Sequence, residues 1–120
     1  MRILSVLVFL LMASVAQAFT LTYAGDYGAN ENTRAVLSRI AQAQPELHLA
    51  LGDLSYKETG EARWCDMVKA AVKQPFLIVP GNHETMENPD TELAKFAACL
   101  PYSYDAPIVG EYPAQYYFDM

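Results

Sequence analysis

Three side chains that carry oxygen donors follow glycines at nearly even intervals along the chain. They are Asp26, Asp53 and Asn82, separated by 27 and 29 positions. Carboxylate and amide oxygens are hard donors that suit Mg, Mn and Fe ions and, in part, Zn. Two carboxylates held close together repel, and one is driven to protonate unless a cation lies between them. If the fold brings the three side chains together, the pattern therefore indicates a metal site.

A short apolar run precedes each of the three side chains. The runs are Phe19 to Ala24, Leu47 to Leu51, and Phe76 to Val79. Runs of this length suit strands buried on both faces of a parallel sheet. Ligands of such a sheet bind outside the carboxyl ends of its strands, and one βαβ unit takes about 30 residues. The spacing thus predicts that the three side chains converge at one edge of the sheet.

The simpler alternative for each position is a turn in which the side chain forms a hydrogen bond with nearby backbone. For a single Gly-Asp pair this alternative would be preferred. It is disfavoured here, because two such pairs occur at matching positions after their strands and Gly81-Asn82-His83-Glu84 occupies the matching position after the third strand.

Helical patterns lie between and after the apolar runs. They cover Thr33 to Gln44, with Asn32 or Thr33 as N-cap, then Glu61 to Lys73, and finally Pro89 to Ala98, with Asn88 as N-cap. The order β-α-β-α-β-α predicts an α/β fold with a parallel sheet. Residues after Pro101 have loop character until an aromatic, strand-like run from Gln115 to Met120. Because the sequence stops inside that run, we expect the chain to be truncated.

The three motifs together resemble those of a known enzyme family. Gly25-Asp26-Tyr27-Gly28, Gly52-Asp53-Leu54-Ser55-Tyr56 and Gly81-Asn82-His83-Glu84 are similar to the first three motifs of the purple acid phosphatases, which belong to the calcineurin-like metallophosphoesterases. The resemblance covers roughly residues 20–84. It implies the parallel-sheet half of a four-layer α/β/β/α metallophosphoesterase fold, with residues 19–120 as the N-terminal part of that domain.

Two positions favour the purple acid phosphatases within that superfamily. Most calcineurin-like enzymes have Asp-x-His in the first motif, where this chain has Gly28 in the place of His. The purple acid phosphatases lack that histidine and supply a tyrosine ligand from the second motif, where this chain has Tyr56. A phenol of pKa about 10 binds at neutral pH only when a strongly acidic ion deprotonates it, which implies Fe(III). The alternative for Tyr56 is an ordinary loop tyrosine.

The resemblance assigns a role to each metal-binding position. Asp26 and Tyr56 would bind Fe(III), Asp53 would bridge two metals, and Asn82 would bind a divalent Fe, Zn or Mn ion. Two cations about 3.5–4 Å apart clamp the phosphoryl oxygens and hold the attacking hydroxide in such enzymes. The implied activity is hydrolysis of a phosphate-ester substrate, specifically of monoesters, as in an acid phosphatase.

His83 and Glu84 are the catalytic candidates. By resemblance, His83 would contact the phosphate or assist the leaving group, and Glu84 would orient the His83 ring. The family completes its site with three histidines from later motifs. This chain has only one further histidine, His48, which lies in an apolar run and is more simply a core residue. We therefore expect the fragment alone to bind metals weakly and to be inactive, and the enzyme to need residues beyond Met120.

Residues 1–18 resemble a secretory signal. Arg2 precedes an apolar stretch from Ile3 to Val15, and Ala16-Gln17-Ala18 provides a cleavage pattern. The stretch is short for a bilayer, so we expect cleavage after Ala18 with no stable membrane anchor, and a secreted or periplasmic protein. The alternative is an uncleaved anchor.

The chain is acidic, with 8 basic and 14 acidic residues and a formal net charge of −6. It has no cluster of Lys or Arg, which argues against a nucleic-acid-binding surface. An acidic surface repels an anionic substrate, so attraction for a phosphate ester would have to come from bound cations.

The two cysteines, Cys65 and Cys99, are expected to form a disulfide, because exported proteins meet an oxidising environment. The alternative is a pair of buried thiols.

Two further functions stay open at this point. One is a phosphodiesterase or nucleotidase of the same superfamily. The other is a non-catalytic exported βα binding module.

Overall fold

The computed structural model describes residues 18–56, 60–85 and 92–120. The predicted signal, apart from Ala18, lies outside these residues, as do Asn88 and Pro89 of the third predicted helix. The elements, in chain order, are β1 Leu21–Ala24, α1 Glu31–Ala43, β2 Leu47–Ala50, α2 Glu61–Ala71, β3 Phe76–Ile78, α3 Asn82–Thr85, α4 Glu92–Cys99, β4 Val109–Glu111 and β5 Gln115–Tyr117.

The first three strands form a parallel sheet in the order β1-β2-β3. Leu21 is paired with Leu47 in β2, and His48 with Phe76 in β3. The predicted α/β fold with a parallel sheet is therefore confirmed for the three strands that precede the motifs. Because the strands run in the same direction, their carboxyl ends lie at one edge of the sheet, and all three motifs begin there.

Burial differs along the sheet from what the apolar runs predict. β3 is fully buried and β2 nearly so, but Leu21 and Tyr23 of β1 are 41% and 69% exposed. The prediction that all three strands are buried on both faces is wrong for β1. Edge position is not the reason, because β1 and β3 each pair only with β2 among the described strands. β3 is covered further by Trp64, whose ring packs on Phe76, and by Tyr116, whose hydroxyl donates to the carbonyl of Ile78.

Helix α1 begins two or three residues earlier than the sequence predicts. Its N-cap is Asn30, whose Oδ1 accepts hydrogen bonds from the backbone N–H groups of Asn32 (2.9 Å) and Thr33 (3.2 Å). Asn32 and Thr33 are therefore inside the first turn rather than capping it. Three side chains of α1 are buried: Thr33, Leu37 and Ile40.

Helix α2 supplies the centre of the core, and a disulfide joins it to α4. Trp64 is fully buried and contacts the rings of Tyr27, Phe76 and Phe96 edge-on. The predicted disulfide between Cys65 and Cys99 is present, with the Cα atoms 6.1 Å apart. Because it closes a loop with a sequence separation of 34, it stabilises the folded chain by about 4 kcal/mol in the chain-entropy picture.

The C-terminal strands form a separate antiparallel hairpin rather than extending the parallel sheet. The sequence predicts the strand at Gln115 but not β4, which it assigns to a loop. The hairpin is attached to the sheet by the Tyr116 hydroxyl, which donates to the carbonyl of Ile78 (3.0 Å). None of the helices in the described ranges is long and apolar enough to cross a membrane.

Candidate metal centre

The first motif (residues 25–28) and the second motif (residues 52–56) continue the pairing of β1 with β2 beyond the strand ends. The backbone N–H of Asp26 donates to the carbonyl of Gly52 (3.2 Å), and the backbone N–H of Tyr27 donates to the backbone carbonyl of Asp53 (2.9 Å). Across the same gap, the hydroxyl of Tyr56 donates to Oδ1 of Asp26 (2.8 Å). Three of the residues expected to bind metal thus lie on two adjoining loops that are directly hydrogen-bonded to each other.

The second motif and the third motif (residues 81–84) are joined by one buried carboxylate. Glu84 is 2% exposed, and its oxygens accept hydrogen bonds from the backbone N–H groups of Asp53, Leu54 and Gly81, each at 2.8 Å. Hydrogen bonds to a charged acceptor are about twice as strong as neutral ones. The carboxylate therefore fixes the backbone of two motifs relative to each other.

The two glycines that precede Asp53 and Asn82 allow these motifs to touch. A Cβ atom on Gly52 would lie 2.7 Å from the carbonyl carbon of Pro80 and would overlap the backbone of Gly81. A Cβ atom on Gly81 would overlap the Asp53 carboxylate. In the space left free, the backbone N–H of His83 donates to Oδ1 of Asp53 (3.2 Å).

Three of the predicted site residues have left-handed backbone conformations. The φ angles are 53° for Asp26, 52° for Asp53 and 49° for Tyr56. This region costs a residue with a Cβ atom about 1–2 kcal/mol. Such strained residues persist only where their surroundings fix them, and they concentrate at functional sites. The hydrogen bonds between the motifs supply that constraint here.

Gly28 and Tyr56, the two positions that distinguish the purple acid phosphatase pattern, are in contact. A Cβ atom on Gly28 would lie 3.4 Å from Cδ2 of Tyr56 and 3.0 Å from the side-chain nitrogen of Asn30. A side chain at position 28 would therefore be in contact with the Tyr56 ring and close to Asn30. The two positions that distinguish the sequence pattern are thus neighbours in space.

Comparison with known proteins agrees with this geometry. The family profile of the calcineurin-like phosphoesterases matches residues 19–118. The chain belongs to the calcineurin-like phosphoesterase family. It is also similar to two proteins of Arabidopsis thaliana, with 38% identity over 64 residues to Purple acid phosphatase 22 and 35% over 69 residues to Purple acid phosphatase 18.

These matches are partial on both sides. They cover 50% and 54% of this chain but only 15% and 16% of the two plant proteins. The chain thus spans less than a fifth of the curated relatives that it matches. No solved structure matches it significantly.

Membership of the phosphoesterase family implies a dinuclear metal centre, and the donor atoms can be tested against that expectation. Two oxygens in neighbouring positions of an octahedral ion, each at about 2.0–2.1 Å, lie about 2.9 Å apart. The 2.8 Å between the Tyr56 hydroxyl and Asp26 Oδ1 has this spacing, which an ordinary O–H···O hydrogen bond shares, and an ion bound there would displace the hydroxyl proton. Oxygen donors of these types also suit hard cations. The pair fits an ion.

The site is acidic and holds the Tyr56 phenol in its protonated form. Partial burial, the hydrogen bond to Asp26, and the charges of Asp26, Asp53 and Glu84 raise the pKa of Tyr56 to about 12. Deprotonation of Tyr56 at neutral pH would thus need a strong positive charge next to its oxygen. Within the described ranges, no three His, Cys, Asp or Glu side chains are grouped to hold a metal; the predicted set contains only two residues of these types.

The remaining predicted residues lie at the same edge of the sheet. Asn82 is exposed and begins α3 directly after the β3 turn. His83 is half-buried, and its ring lies edge-on to that of Tyr56, with the ring centroids 4.7 Å apart. The described hydrogen bonds of Glu84 hold backbone N–H groups, and its predicted role in orienting the His83 ring stays a prediction. A glutamate in a turn carries no sequence signal that would separate these two roles.

Proposed function

We propose that this protein is an exported phosphatase that hydrolyses phosphate monoesters at a dinuclear metal centre. The observation that carries the proposal is the hydrogen bond of the Tyr56 hydroxyl to Asp26 Oδ1, which spans the first two motifs at the spacing of adjacent metal ligands. It is supported by membership of the calcineurin-like phosphoesterase family and by the partial similarity to two purple acid phosphatases.

In this proposal, the four oxygen-bearing residues divide between the two ions. Asp26 and Tyr56 would hold Fe(III), Asp53 would contribute to both ions, and Asn82 would hold a divalent Fe, Zn or Mn ion. When bound, the cations supply the positive charge that stabilises the phosphoryl oxygens and activates water. The acidic character of the site supports a need for bound cations. Without them, the charges of Asp26, Asp53 and Glu84 would repel a phosphate ester.

The two residues that follow Asn82 have separate tasks. His83 is the catalytic residue: its ring lies next to Tyr56, where an imidazole nitrogen can bind a phosphoryl oxygen or give a proton to the leaving oxygen. Its backbone N–H holds Oδ1 of Asp53 and so orients that carboxylate. Glu84 is a positioning residue, because it fixes the backbone on both sides of Asp53 and before Asn82.

Export is supported by the disulfide between α2 and α4. Disulfides form and persist in oxidising compartments such as the periplasm and the extracellular space. Together with the leader-like residues 1–18, the disulfide favours a secreted or periplasmic protein.

A comparison of two substrates tests the proposed function. The whole natural protein, loaded with Fe(III) and Zn²⁺, is assayed with an aryl phosphate monoester and with the matching diester. We expect faster turnover of the monoester and a loss of at least about a hundredfold in the Asp53→Asn variant, because a ligand contributes no less than its outer-shell partners. The exposed Glu111→Gln variant removes one negative charge from β4, outside the three motifs, and is the matched control.

The outcome separates the remaining candidates. Preference for the diester would contradict monoester hydrolysis and favour a phosphodiesterase. Equal activity of the Asp53→Asn and Glu111→Gln variants would contradict the metal centre itself.

A further inference from the structure

A polar side chain lies at the centre of the apolar sheet. His48 of β2 is fully buried, and its ring packs on that of Phe76 with the centroids 4.7 Å apart. Both ring nitrogens are hydrogen-bonded: Nδ1 lies 2.8 Å from Oγ1 of Thr22, and Nε2 lies 2.6 Å from the hydroxyl of Tyr27. The sequence interpretation of His48 as a core histidine is confirmed, but one of its two partners belongs to the first motif.

The chemistry of the three groups gives the hydrogen bonds a direction. A phenol is a stronger donor than an aliphatic alcohol, so Tyr27 donates to Nε2, and Nδ1–H donates to Thr22. Burial lowers the pKa of His48 to about 4 and raises the pKa of Tyr27, so both groups are neutral near pH 7. A neutral imidazole with one donor and one acceptor can satisfy both neighbours at once.

Tyr27 is held at its backbone as well as at its hydroxyl. Its N–H donates to the carbonyl of Asp53 (2.9 Å), and its own carbonyl accepts a hydrogen bond from Oγ1 of Thr33. The ring of Tyr27 packs edge-on against Trp64, with the centroids 5.7 Å apart. The residue next to Asp26 is therefore fixed from the sheet, from α1 and from the second motif.

Asp26 depends on this support because its own conformation is unfavourable. Its φ angle of 53° lies in the left-handed region, and its side chain must still meet the Tyr56 hydroxyl. If Tyr27 moved, the Asp26 carboxylate would leave the position that the metal proposal requires. Small displacements of ligands weaken metal binding, and outer-shell partners of ligands typically contribute ten- to hundredfold in affinity.

We propose that His48 is a positioning residue of the metal centre, which holds the Asp26 carboxylate in place through the Tyr27 hydroxyl. The inference rests on the proposed function. It differs from the simpler interpretation, in which the buried hydrogen bonds of His48 contribute to stability alone.

Matched variants of the whole natural protein separate the two interpretations. Zn²⁺ alone, without iron, is offered to both metal positions, and titration calorimetry follows its binding at the position of Asp26 and Tyr56. Tyr27→Phe removes only the hydroxyl, and we expect Zn²⁺ affinity to fall roughly tenfold. Tyr112→Phe is the control, because it removes the hydroxyl of a half-buried tyrosine outside the motifs, one that donates to the carbonyl of Leu100 (2.8 Å). We expect Tyr112→Phe to lose stability to a similar extent but to bind Zn²⁺ as the unmodified protein does.

Two substitutions at His48 refine the test. In His48→Gln the amide oxygen lies near the place of Nε2 and can accept from Tyr27, whereas the shorter amide of His48→Asn lies near Nδ1 and reaches only towards Thr22. We expect affinity to be largely retained in the Gln variant and lost roughly tenfold in the Asn variant. This rescue would not occur if His48 acted through general stability.

The proposal is overturned if Tyr27→Phe and Tyr112→Phe bind Zn²⁺ equally well while Asp53→Asn abolishes binding. In that case the metal centre stands and His48 serves stability alone. If Asp53→Asn leaves Zn²⁺ affinity unchanged, the proposed function fails, and the positioning role of His48 fails with it.

Discussion

Different buried groups hold the motifs in place. One holds the first motif, and the other holds the second and third motifs together. Under the first motif, a neutral histidine acts through the side chains of Tyr27 and Thr22. Under the second and third motifs, the Glu84 carboxylate binds three backbone N–H groups directly. The hydrogen bonds of His48 depend on which side chains its partners carry. Those of Glu84 depend only on the path of the backbone.

The difference has consequences for how each motif responds to change. A buried charge that holds several N–H groups is costly to neutralise or shorten, because each donor it leaves is then unsatisfied. The neutral His48 loses one hydrogen bond at a time when a partner is replaced, and its protonation depends on pH. We therefore expect the second and third motifs to lose their conformation together and the first motif to lose its conformation gradually.

The largest expected effect follows replacement of the charged anchor. Glu84→Gln keeps the shape but offers one oxygen instead of two and turns an amide N–H₂ towards backbone N–H donors. Hydrogen bonds to charged groups contribute about 1.5–3 kcal/mol each, so we expect the free energy of unfolding in urea to fall by about 3–5 kcal/mol. The exposed Glu111→Gln variant should change it by less than about 0.5 kcal/mol. Equal losses in the two variants would contradict the role of Glu84.

The neutral anchor is tested by the pH dependence of stability. The unfolded chain protonates His48 below about pH 6.5, whereas the folded chain does so only below about pH 4. As the pH falls through this window, the unfolded state binds the proton first, and stability is lost. The shift corresponds to about 3 kcal/mol between pH 6.5 and pH 4.

The measurement compares urea unfolding of the metal-free protein with that of its His48→Gln variant at pH 7 and pH 4. Carboxylates that titrate in the same range contribute to both proteins and cancel in the difference. We expect the unmodified protein to lose more stability than the variant. A parallel decline of both proteins would show that His48 does not titrate as a buried group.

The smallest expected effect concerns the contact between Gly28 and Tyr56. The φ angle of Gly28 is 61°, so Gly28→Ala and Gly28→His carry the same backbone cost and place a Cβ atom at the same point beside Asn30 and Tyr56. Only the His variant adds a ring next to that of Tyr56. We expect Gly28→His to be less stable than Gly28→Ala by about a further 1–2 kcal/mol in urea unfolding. Identical losses would show that the space beside Tyr56 accommodates an imidazole.

Much of this arrangement follows from the period of the sequence. The βαβ spacing alone predicts that Asp26, Asp53 and Asn82 follow neighbouring parallel strands, and the structure has those strands in that order. The disulfide between Cys65 and Cys99 is likewise predicted, because two cysteines in an exported chain more often pair than stay free. The first inference needs only the order of elements, and the second needs only the cysteine count and the leader-like residues.

Other features depend on tertiary contacts that no local pattern reports. Gly110 and Pro113 are loop signals, yet strand β4 forms because β5 pairs with it. β1 and β3 both pair only with β2 among the described strands, yet β1 is largely exposed and β3 is buried, because other elements pack on β3. The three backbone partners of Glu84 come partly from residues about 30 positions away, so its anchoring role is visible only once the motifs are in contact.

The central claim is that the motifs share metal ions, and anomalous diffraction from crystals of the iron-loaded protein tests it most directly. We expect an iron peak at the absorption edge within about 2.5 Å of Asp26 and Tyr56 oxygens, with Asp53 between it and a second ion near Asn82. A peak bound elsewhere, with the Tyr56 hydroxyl still hydrogen-bonded to Asp26, would contradict it.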